Sequence, residues 1–551
     1  MSFPKRITIL GGGLSGLTTA YKLSQLPQAS NSKITLIEGS NRIGGWINST
    51  KHHVEFINEK GELIKGDVTL ESGPRSLRPR GSKGAIGMLK LIKDLDLSND
   101  IIPIPFSHPA AKNRFLLDIS NSNSKLISLP NSLFSLLFNN SNSNLLKGLI
   151  SSIIKEPFKS KISNEIKDES VNSFFERRFS KNLAQNLASS MVHGIYATSS
   201  DELSVRSSFP ILWEKEKKFG SVILGMLFSS NKKSNEELNE IKELGKDLNE
   251  NIKNWSLYGI KGGLSNLINK MNESIKEKGI VEIKLNQMIN SIKINKNKNN
   301  LIEIDILNNE KKLETDYIIS SISPLNLSNL LIEEKQEENL KLSNLNSNSY
   351  TTVGVVNLVY PILSKNLHPE GFGYLIPRPP LNNTKKLNKF GILGCIFDST
   401  AIPFKEDLKN VTKLTLMLGG PYWNSNNNNN KKDFYKPKLE IPKNEEELIN
   451  NSINHLENVF PILKEKNLKP ILKIGKINYN CIPTYKVGHG FRMKELHHEI
   501  KQSNWNNKLS LIGNGYGGVG LNDCIYSVQH VIDSLNKGEI VTGLERWENW
   551  E

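Results

Sequence analysis

The sequence predicts an α/β fold, α+β taken as a whole. A Rossmann-like dinucleotide-binding domain is joined to an antiparallel-sheet domain and a largely helical region. Three observations predict it. The apolar, β-branched run Arg6-Ile7-Thr8-Ile9-Leu10 reads as a buried parallel strand, and Gly11-Gly12-Gly13-Leu14-Ser15-Gly16 then opens onto a helical stretch at 17–23. A second strand, 33–37, ends at Glu38. From Tyr350 to Gly420 four short β-rich segments (352–359, 372–376, 392–397 and 413–418) suit an antiparallel sheet roofing a cavity.

Each residue of the first unit has a role. Gly11 permits a tight turn, Gly13 lets the backbone approach a pyrophosphate, and Gly16 lets the helix pack on the strand. Free N–H groups at the helix start, with Gly12, Leu14 and Ser15 among its residues, face the phosphates, where the helix dipole favours negative charge. A carboxylate at Glu38 accepts hydrogen bonds from ribose hydroxyls. A lone Gly-rich turn is a weak signal, but here the strand, helix, second strand and acid are all present. The next residues, Glu38-Gly39-Ser40-Asn41-Arg42-Ile43-Gly44-Gly45, resemble the FAD-binding flavoprotein oxidases and desaturases. That resemblance implies that Arg42 sits near the FAD phosphates and that Gly44-Gly45 passes close to the flavin. Taken alone, Arg42 would read as a surface ion pair.

The chain has 551 residues, enough for two or three domains. Lys+Arg 71 against Asp+Glu 56 gives a net charge of +15. Such charge favours anionic lipid or an acidic substrate, although a Lys- and Asn-biased composition accounts for it more simply. No nucleic-acid motif accompanies it. Cys395, Cys481 and Cys524 are far apart, which argues against a disulfide framework or zinc site and for buried apolar thiols. No cleavable presequence is visible before the first strand, and no apolar run approaches the roughly 20 residues of a membrane span.

Further along, Glu71-Ser72-Gly73-Pro74-Arg75-Ser76-Leu77-Arg78-Pro79 forms a loop crowded by two arginines, whose Arg75 reads either as a ligand to a phosphate or flavin edge or as a solvated charge. Residues 95–250 look largely helical. Within 129–160, apolar residues recur at helical spacing beside Lys147, Lys155 and Lys159. On pattern this is a core-facing helix with a solvated lysine face, and the alternative is a helix lying in a membrane interface. The stretch 257–264 reads as a turn into a helix. Short strands follow at 281–285, 291–295, 301–307 and 317–322, and residues 444–467 read as one helix. Residues 424–430 are nearly all Asn, an insertion. The last motif, Gly513-Asn514-Gly515-Tyr516-Gly517-Gly518-Val519-Gly520-Leu521, joins a strand to a helix N-terminus and offers N–H donors to the polar end of a flavin ring.

Taken together, these motifs resemble the eukaryotic, yeast-like protoporphyrinogen IX oxidases over nearly the whole length. The markers are the Gly11 to Gly16 loop, Gly73-Pro74-Arg75, His108-Pro109-Ala110-Ala111-Lys112-Asn113-Arg114-Phe115, Glu202-Leu203-Ser204-Val205-Arg206-Ser207, Gly371-Phe372-Gly373, Cys481-Ile482-Pro483 and Asn522-Asp523-Cys524-Ile525. The resemblance implies non-covalent FAD, one per chain, and oxidation of protoporphyrinogen IX by oxygen with release of hydrogen peroxide. It implies a peripheral homodimer on the mitochondrial inner membrane, on the intermembrane-space side, with ferrochelatase as a possible next partner. It divides the chain into FAD domain (1–90, 251–325, 496–551), helical membrane-binding domain (91–250) and substrate domain (326–495). It places FAD against Gly11, Gly12, Gly13, Leu14, Ser15, Gly16, Glu38, Gly39, Arg42, Trp46, Gly73, Pro74, Arg75, Ser76, Met288, Asn514, Val519, Gly520 and Leu521, with Met288 on the strand after Val281. Arg114 matches the arginine that pairs with a substrate propionate, and Phe372, Gly373, Leu375 and Met417 match the cavity wall. The resemblance also turns 129–160 into the expected membrane contact. No His or carboxylate stands out as a base, so the expected catalysis is positioning of a methylene bridge over FAD N5. Two rivals stay open: a flavin oxidase acting on amines or carotenoids, and a non-enzymatic flavin- or lipid-binding protein.

Overall fold

The parallel sheet comes together from three distant parts of the chain. A computed structural model describes residues 3–120, 124–130, 144–229, 235–298, 300–332, 342–380, 383–403, 406–423, 435 and 438–551. In it the strands run Leu509–Leu511, Tyr317–Ser320, Arg6–Leu10, Lys33–Ile37 and Val281–Lys284, all parallel. Ile7 and Ile9 on one face pack with Leu17, Leu267, Met271, Ile525 and Val528 from covering helices. Leu10 on the other joins Met493, Leu496, Ile500 and Trp547. Both faces are covered, which is why these strands read as continuous apolar runs.

The second large sheet has seven strands in the order Leu472–Thr484, Ser349–Tyr360, Thr412–Gly419, Ile392–Ile396, Gly373–Leu375, Phe115–Asp118 and Lys125–Ser128. Its pairings are antiparallel except between Gly373–Leu375 and Phe115–Asp118. The last two strands come from the stretch expected to be helical. At four residues each, they are too short for period two to show against period 3.6. Residues 257–264 also differ from expectation. Trp255–Ile260 is a strand paired with Ile101–Pro105, and only after Gly262 and Gly263, at φ +77° and +87°, does the helix Ser265–Lys278 begin. The strands Ile289–Asn295 and Leu301–Ile306 form a separate three-stranded sheet with Leu313–Thr315. The hairpin Ser49–Ile57 with Leu63–Glu71 carried no sequence signal. The single helix expected over 444–467 is two, Glu445–Val459 and Ile462–Glu465. Pro461 divides them, since it has no N–H to donate and its ring clashes with the preceding turn. All three cysteines are buried and free.

The helical region includes Leu149–Lys155, Val171–Arg178, Ser189–Tyr196, Pro210–Phe219 and Val222–Phe228. Glu156, Arg178 and Glu216 are fully buried at its centre. Arg178 Nε donates to Glu156 Oε1 at 2.7 Å, and the Val222 N–H reaches the same oxygen at 2.9 Å. Arg177 donates to both oxygens of Glu216, at 2.6 and 2.8 Å. Four segments are thereby tied through one set of charges. Part of the expected membrane stretch, 131–143, lies outside the described residues. Lys147 and Lys155 are exposed as expected. Lys159 departs from the expected lysine face: its Nζ donates to the carbonyls of Arg177 and Phe179 at 2.8 and 2.6 Å, closing the end of helix Val171–Arg178. Among the described residues no helix is long and apolar enough to cross a membrane.

Burial by itself raises the Glu156 carboxyl, but hydrogen bonds from Ser221, Val222 and Arg178 outweigh it and hold the group below its usual value. Its share of stability is therefore full above the unfolded carboxyl pKa of about 4.3 and is lost as pH falls through the lower folded value. Arg178→Met leaves that charge buried without its partner and lowers unfolding free energy by about 3–5 kcal/mol at neutral pH. Chemical denaturation reads the change, and a wild-type midpoint in the variant would refute the network's structural weight.

Candidate functional site

The glycine loop after the first strand divides its glycines into two kinds. Gly11 has φ +92°, and a Cβ on Gly16 would lie 1.9 Å from the Gly11 carbonyl, so the protein itself demands glycine at both. Gly13 has an ordinary φ of −69°, and the nearest atom to a Cβ there is Gly45 Cα at 3.8 Å. Nothing in the protein excludes a side chain at Gly13, so the open space above it suits a ligand. The N–H groups of Leu14, Ser15 and Gly16 begin helix Leu14–Ser24 without any side-chain cap. Glu38 is fixed alongside: Oε2 accepts from the Gly12 N–H at 2.6 Å, and Oε1 accepts from Ser40 N and Oγ at 2.9 and 2.7 Å. An open glycine, free N–H donors and an anchored carboxylate are the donor set that a dinucleotide's pyrophosphate and ribose require.

Two further segments cross this loop. The Gly44 N–H donates to the Gly12 carbonyl at 2.8 Å, and a Cβ on Gly45 would sit 3.0 Å from Gly13 Cα. The close approach at Gly44-Gly45 is therefore to the neighbouring backbone. Arg42 spends its guanidinium on that loop, donating to the carbonyls of Ile43 and Ile47 at 3.1 Å each and of Gly45 at 2.5 Å. Trp46 is exposed, and its carbonyl would lie 2.1 Å from a Cβ on Gly73. Met288 is exposed and lies between the strands Val281–Lys284 and Ile289–Asn295 rather than within the first, with Sδ 2.8 Å from where a Gly39 Cβ would stand.

Arg75 is not a solvated charge. It is 7% exposed, and Nη1 donates to Asp398 Oδ1 at 2.5 Å. Pro74 and Ser76 beside it are half-buried. Asp398 in turn contacts the Thr415 hydroxyl, which lies 2.6 Å from Asn357 Oδ1. Lys413 Nζ donates to Glu406 Oε1 at 2.6 Å nearby. Burial raises the Glu71 carboxyl, which accepts from the Leu264 N–H and the Ser49 hydroxyl at 2.8 Å each. Arg75 thus joins the loop after Glu71 to the seven-stranded sheet. Asp398 was not anticipated, because nothing local distinguishes it from other loop acids.

The C-terminal glycine loop lies against the helical region. Val519 packs beside the cluster containing Phe174, Val205 and Trp213. Gly520 caps helix Leu521–Asn536, and its N–H donates to Asp523 Oδ2 at 3.2 Å. Asn514 gives its carbonyl to the Tyr485 hydroxyl.

The expected cavity residues are brought together by strand register. Leu116 pairs with Leu375, Leu375 with Gly394, Gly394 with Met417, and Met417 with Val355. Cross-strand partners share a face, so Leu375 and Met417 stand on either side of Gly394, whose side-chain space the Leu375 side chain takes: a Cβ there would lie 2.9 Å from Leu375 Cδ2. Arg114 extends the strand Phe115–Asp118, its carbonyl accepting from the Leu129 N–H at 2.8 Å, and alternation puts it on the Leu116 face. Phe115 and Leu117 point into the opposite core. Gly373, at φ +141°, would bring a Cβ within 2.2 Å of the Cys395 carbonyl. Phe372 packs with Ile104, Ala110 and Leu257, away from this row. Arg114 is exposed. Desolvation by surrounding protein, then the charge of Arg78, push it below the usual guanidinium value, and no carboxylate pairs with it among the described residues. Arg78, the second arginine of the loop after Glu71, was seen in the sequence but given no role there.

The model of the flavin-containing amine oxidoreductases matches residues 14–427. The protoporphyrinogen oxidase of Schizosaccharomyces pombe is 31% identical over 94% of this chain and 96% of that protein. The human protoporphyrinogen oxidase is 29% identical over 95% and 96%. A solved structure from Exiguobacterium sp. 255-15 has a TM-score of 0.68 at 20% identity, over 97% of this chain and 99% of that one. It shares the fold.

Gly13→Val fills the open space above the loop, where its Cβ comes no closer than 3.8 Å to the protein's own backbone. The variant should be soluble and lack the yellow absorbance of bound flavin. Full flavin occupancy, read by absorbance after gel filtration, would remove Gly13 from the cofactor site.

Proposed function

The chain belongs to the protoporphyrinogen oxidases, within the flavin-containing amine oxidoreductases, and on that premise we propose how its residues serve the reaction. It carries out FAD-dependent oxidation of protoporphyrinogen IX to protoporphyrin IX in haem biosynthesis, with oxygen as the final acceptor and hydrogen peroxide as by-product. FAD, when bound, supplies a hydride acceptor at N5.

The protein's contribution is placement. The N–H groups at Leu14 to Gly16 and the Glu38 carboxylate hold pyrophosphate and ribose. Leu375 and Met417, with Gly373 on the same strand face as Leu375, give an apolar surface for the tetrapyrrole, while Phe372 packs elsewhere. Such a surface discriminates poorly between rotated rings, so a charge must set the orientation. Arg114 supplies it, as a planar, permanently charged fork able to bind a propionate bidentately. The observation that carries this reading is an exposed guanidinium, without a carboxylate partner among the described residues, on the same sheet face as Leu375 and Met417. His193, near that sheet, is no base. Burial pushes it down to about 4, and its nitrogens lie 2.9 Å from the Ile376 carbonyl and 2.8 Å from the Tyr435 hydroxyl.

The finer placement within the cell belongs to the same reading: a peripheral homodimer on the intermembrane-space side of the mitochondrial inner membrane, passing product toward ferrochelatase. What supports membrane contact is an apolar edge. Phe158 is 87% and Phe228 72% exposed, and the Glu156 network draws their two segments together, with Lys217 and Lys218 exposed nearby. Exposed apolar tips beside lysines suit an anionic bilayer surface.

Arg114→Ala should keep FAD and fold while kcat/KM falls by roughly tenfold to a hundredfold, the scale of a charge-assisted hydrogen bond of about 1.5–3 kcal/mol. Arg114→Lys should recover part of this, because a point charge lacks the fork. Porphyrin fluorescence reads both, and wild-type kcat/KM in the alanine variant would remove Arg114 from the substrate site. The wild-type enzyme's failure to turn over protoporphyrinogen would overturn the assignment itself. For the membrane, the double variant Phe158→Asp, Phe228→Asp should lose flotation with anionic vesicles, and undiminished flotation would place the contact elsewhere.

A further inference from the structure

The glycine-rich loop 513–518 has captured carbonyls and open N–H groups. The Tyr485 hydroxyl donates to the Asn514 carbonyl, and Asn348 Nδ2 donates to that of Gly515 at 3.2 Å. His489 Nε2 lies 3.0 Å from the Tyr516 carbonyl, and Arg546 Nη1 donates to that of Gly517 at 2.6 Å. These side chains come from three separate parts of the chain. A trans peptide points the next residue's N–H opposite to its carbonyl. Capture of the Asn514, Gly515 and Tyr516 carbonyls therefore turns the N–H groups of Gly515, Tyr516 and Gly517 away from the capturing side chains. None of those three N–H groups has a hydrogen-bond partner among the described residues. The Gly518 N–H is different, since it donates back to the Tyr485 hydroxyl at 2.9 Å.

Tyr485 is the pivot. Its one hydroxyl both donates to residue 514 and accepts from residue 518, so it fixes the two ends of the loop against each other. The ring is buried and stacked on His489, with centroids 4.1 Å apart and planes at 10°. Burial holds His489 at about 3, hence neutral at working pH. Neither side chain is free to follow the loop if it relaxes.

We propose that Tyr485 is a positioning residue of the FAD site: with His489 and Asn348 it holds the carbonyls of residues 514 to 516 outward, while Arg546 keeps the Gly517–Gly518 peptide turned toward Tyr485; this commits the N–H groups of Gly515, Tyr516 and Gly517 to the flavin ring and so favours the reduced, negatively charged ring over the oxidised one. Fixed N–H dipoles stabilise charge that develops in front of them without reorganising. The inference rests on FAD lying at this loop. It adds that the loop's shape is set from outside and that this shape tunes the electron affinity of the cofactor.

The test is the two-electron reduction potential of purified holoprotein. Tyr485→Phe keeps the ring and its stack but releases the Asn514 carbonyl and the Gly518 N–H. The potential should fall by about 30 mV, a roughly tenfold loss in preference for the reduced form, with bound FAD still present in the oxidised spectrum. Arg546 is exposed, so its variants test the same tether without a buried change. Arg546→Met should lower the potential in the same direction, and Arg546→Gln, which restores a donor without the charge, should return most of the loss. If Tyr485→Phe does not fold, the Arg546 pair decides. Wild-type potentials in FAD-loaded Tyr485→Phe and Arg546→Met would overturn the proposal while leaving the enzyme assignment intact. A wild-type protein that binds no FAD would overturn the assignment first.

Discussion

The Arg75–Asp398 pair fixes where the two sheets stand relative to each other. One partner follows the hairpin beside the dinucleotide loop, and the other sits on the seven-stranded sheet. Each sheet has its own apolar core, so hydrophobic burial alone leaves their relative placement loosely defined. A buried ion pair is directional and is costly to leave unmatched. Thr415 and Asn357 extend it into the sheet, and Lys413 with Glu406 stands beside it as a second polar tie. Hydride transfer needs the donor carbon and the accepting nitrogen close to van der Waals contact. Apolar surfaces slide, and this pair stops the slide.

Backbone crossings do the same work at shorter range. The Gly12–Gly13 turn meets Gly44 and Gly45, and Trp46 meets Gly73. Three segments of the chain are stacked main chain against main chain, with glycine wherever a Cβ would strike a carbonyl. The substrate side repeats the device: a Cβ on Gly373 would meet the Cys395 carbonyl at 2.2 Å, and one on Gly394 the Tyr374 carbonyl at 2.5 Å. In the cofactor half glycine brings strands of chain together. In the substrate half it does the same between neighbouring strands.

Much of the cofactor unit was legible in the sequence because its signals are local. A strand, a glycine turn, a helix and a terminal acid lie within residues 6–38, and each residue's role follows from its neighbours. The substrate sheet was partly legible: the four strands between 349 and 419 were read from their β-rich composition, whereas Phe115–Asp118 and Lys125–Ser128 were too short to stand out. Arg114 was found from its motif, and the register that puts it on one face with Leu375 and Met417 appeared only with the sheet. The partners of functional residues were illegible. Asp398 is far from Arg75 in sequence, as are Asn348 and Arg546 from the loop they hold, and no pattern in a single sequence encodes such pairings. Lys159 shows the converse error, where a residue suited to a solvated face was recruited by the carbonyls of a neighbouring helix.

The parallel sheet has a consequence for how the molecule is made. Arg6–Leu10 is its central strand, flanked by Tyr317–Ser320, which is flanked in turn by Leu509–Leu511. A ribosome delivers the glycine turn first and the last strand only after some five hundred further residues. Until then Tyr317–Ser320 lacks its outer neighbour, and the face later covered by helix His489–Gln502 and Trp547 is bare. Long-range parallel pairing is slow and leaves apolar edges exposed while it waits. The cofactor cradle is therefore written at the start of the chain and finished at its end, so the complete FAD site forms only once the last strand is in place. A chain cut short near its C-terminus loses the sheet edge, the tethers at His489 and Arg546, and the glycine loop they shape.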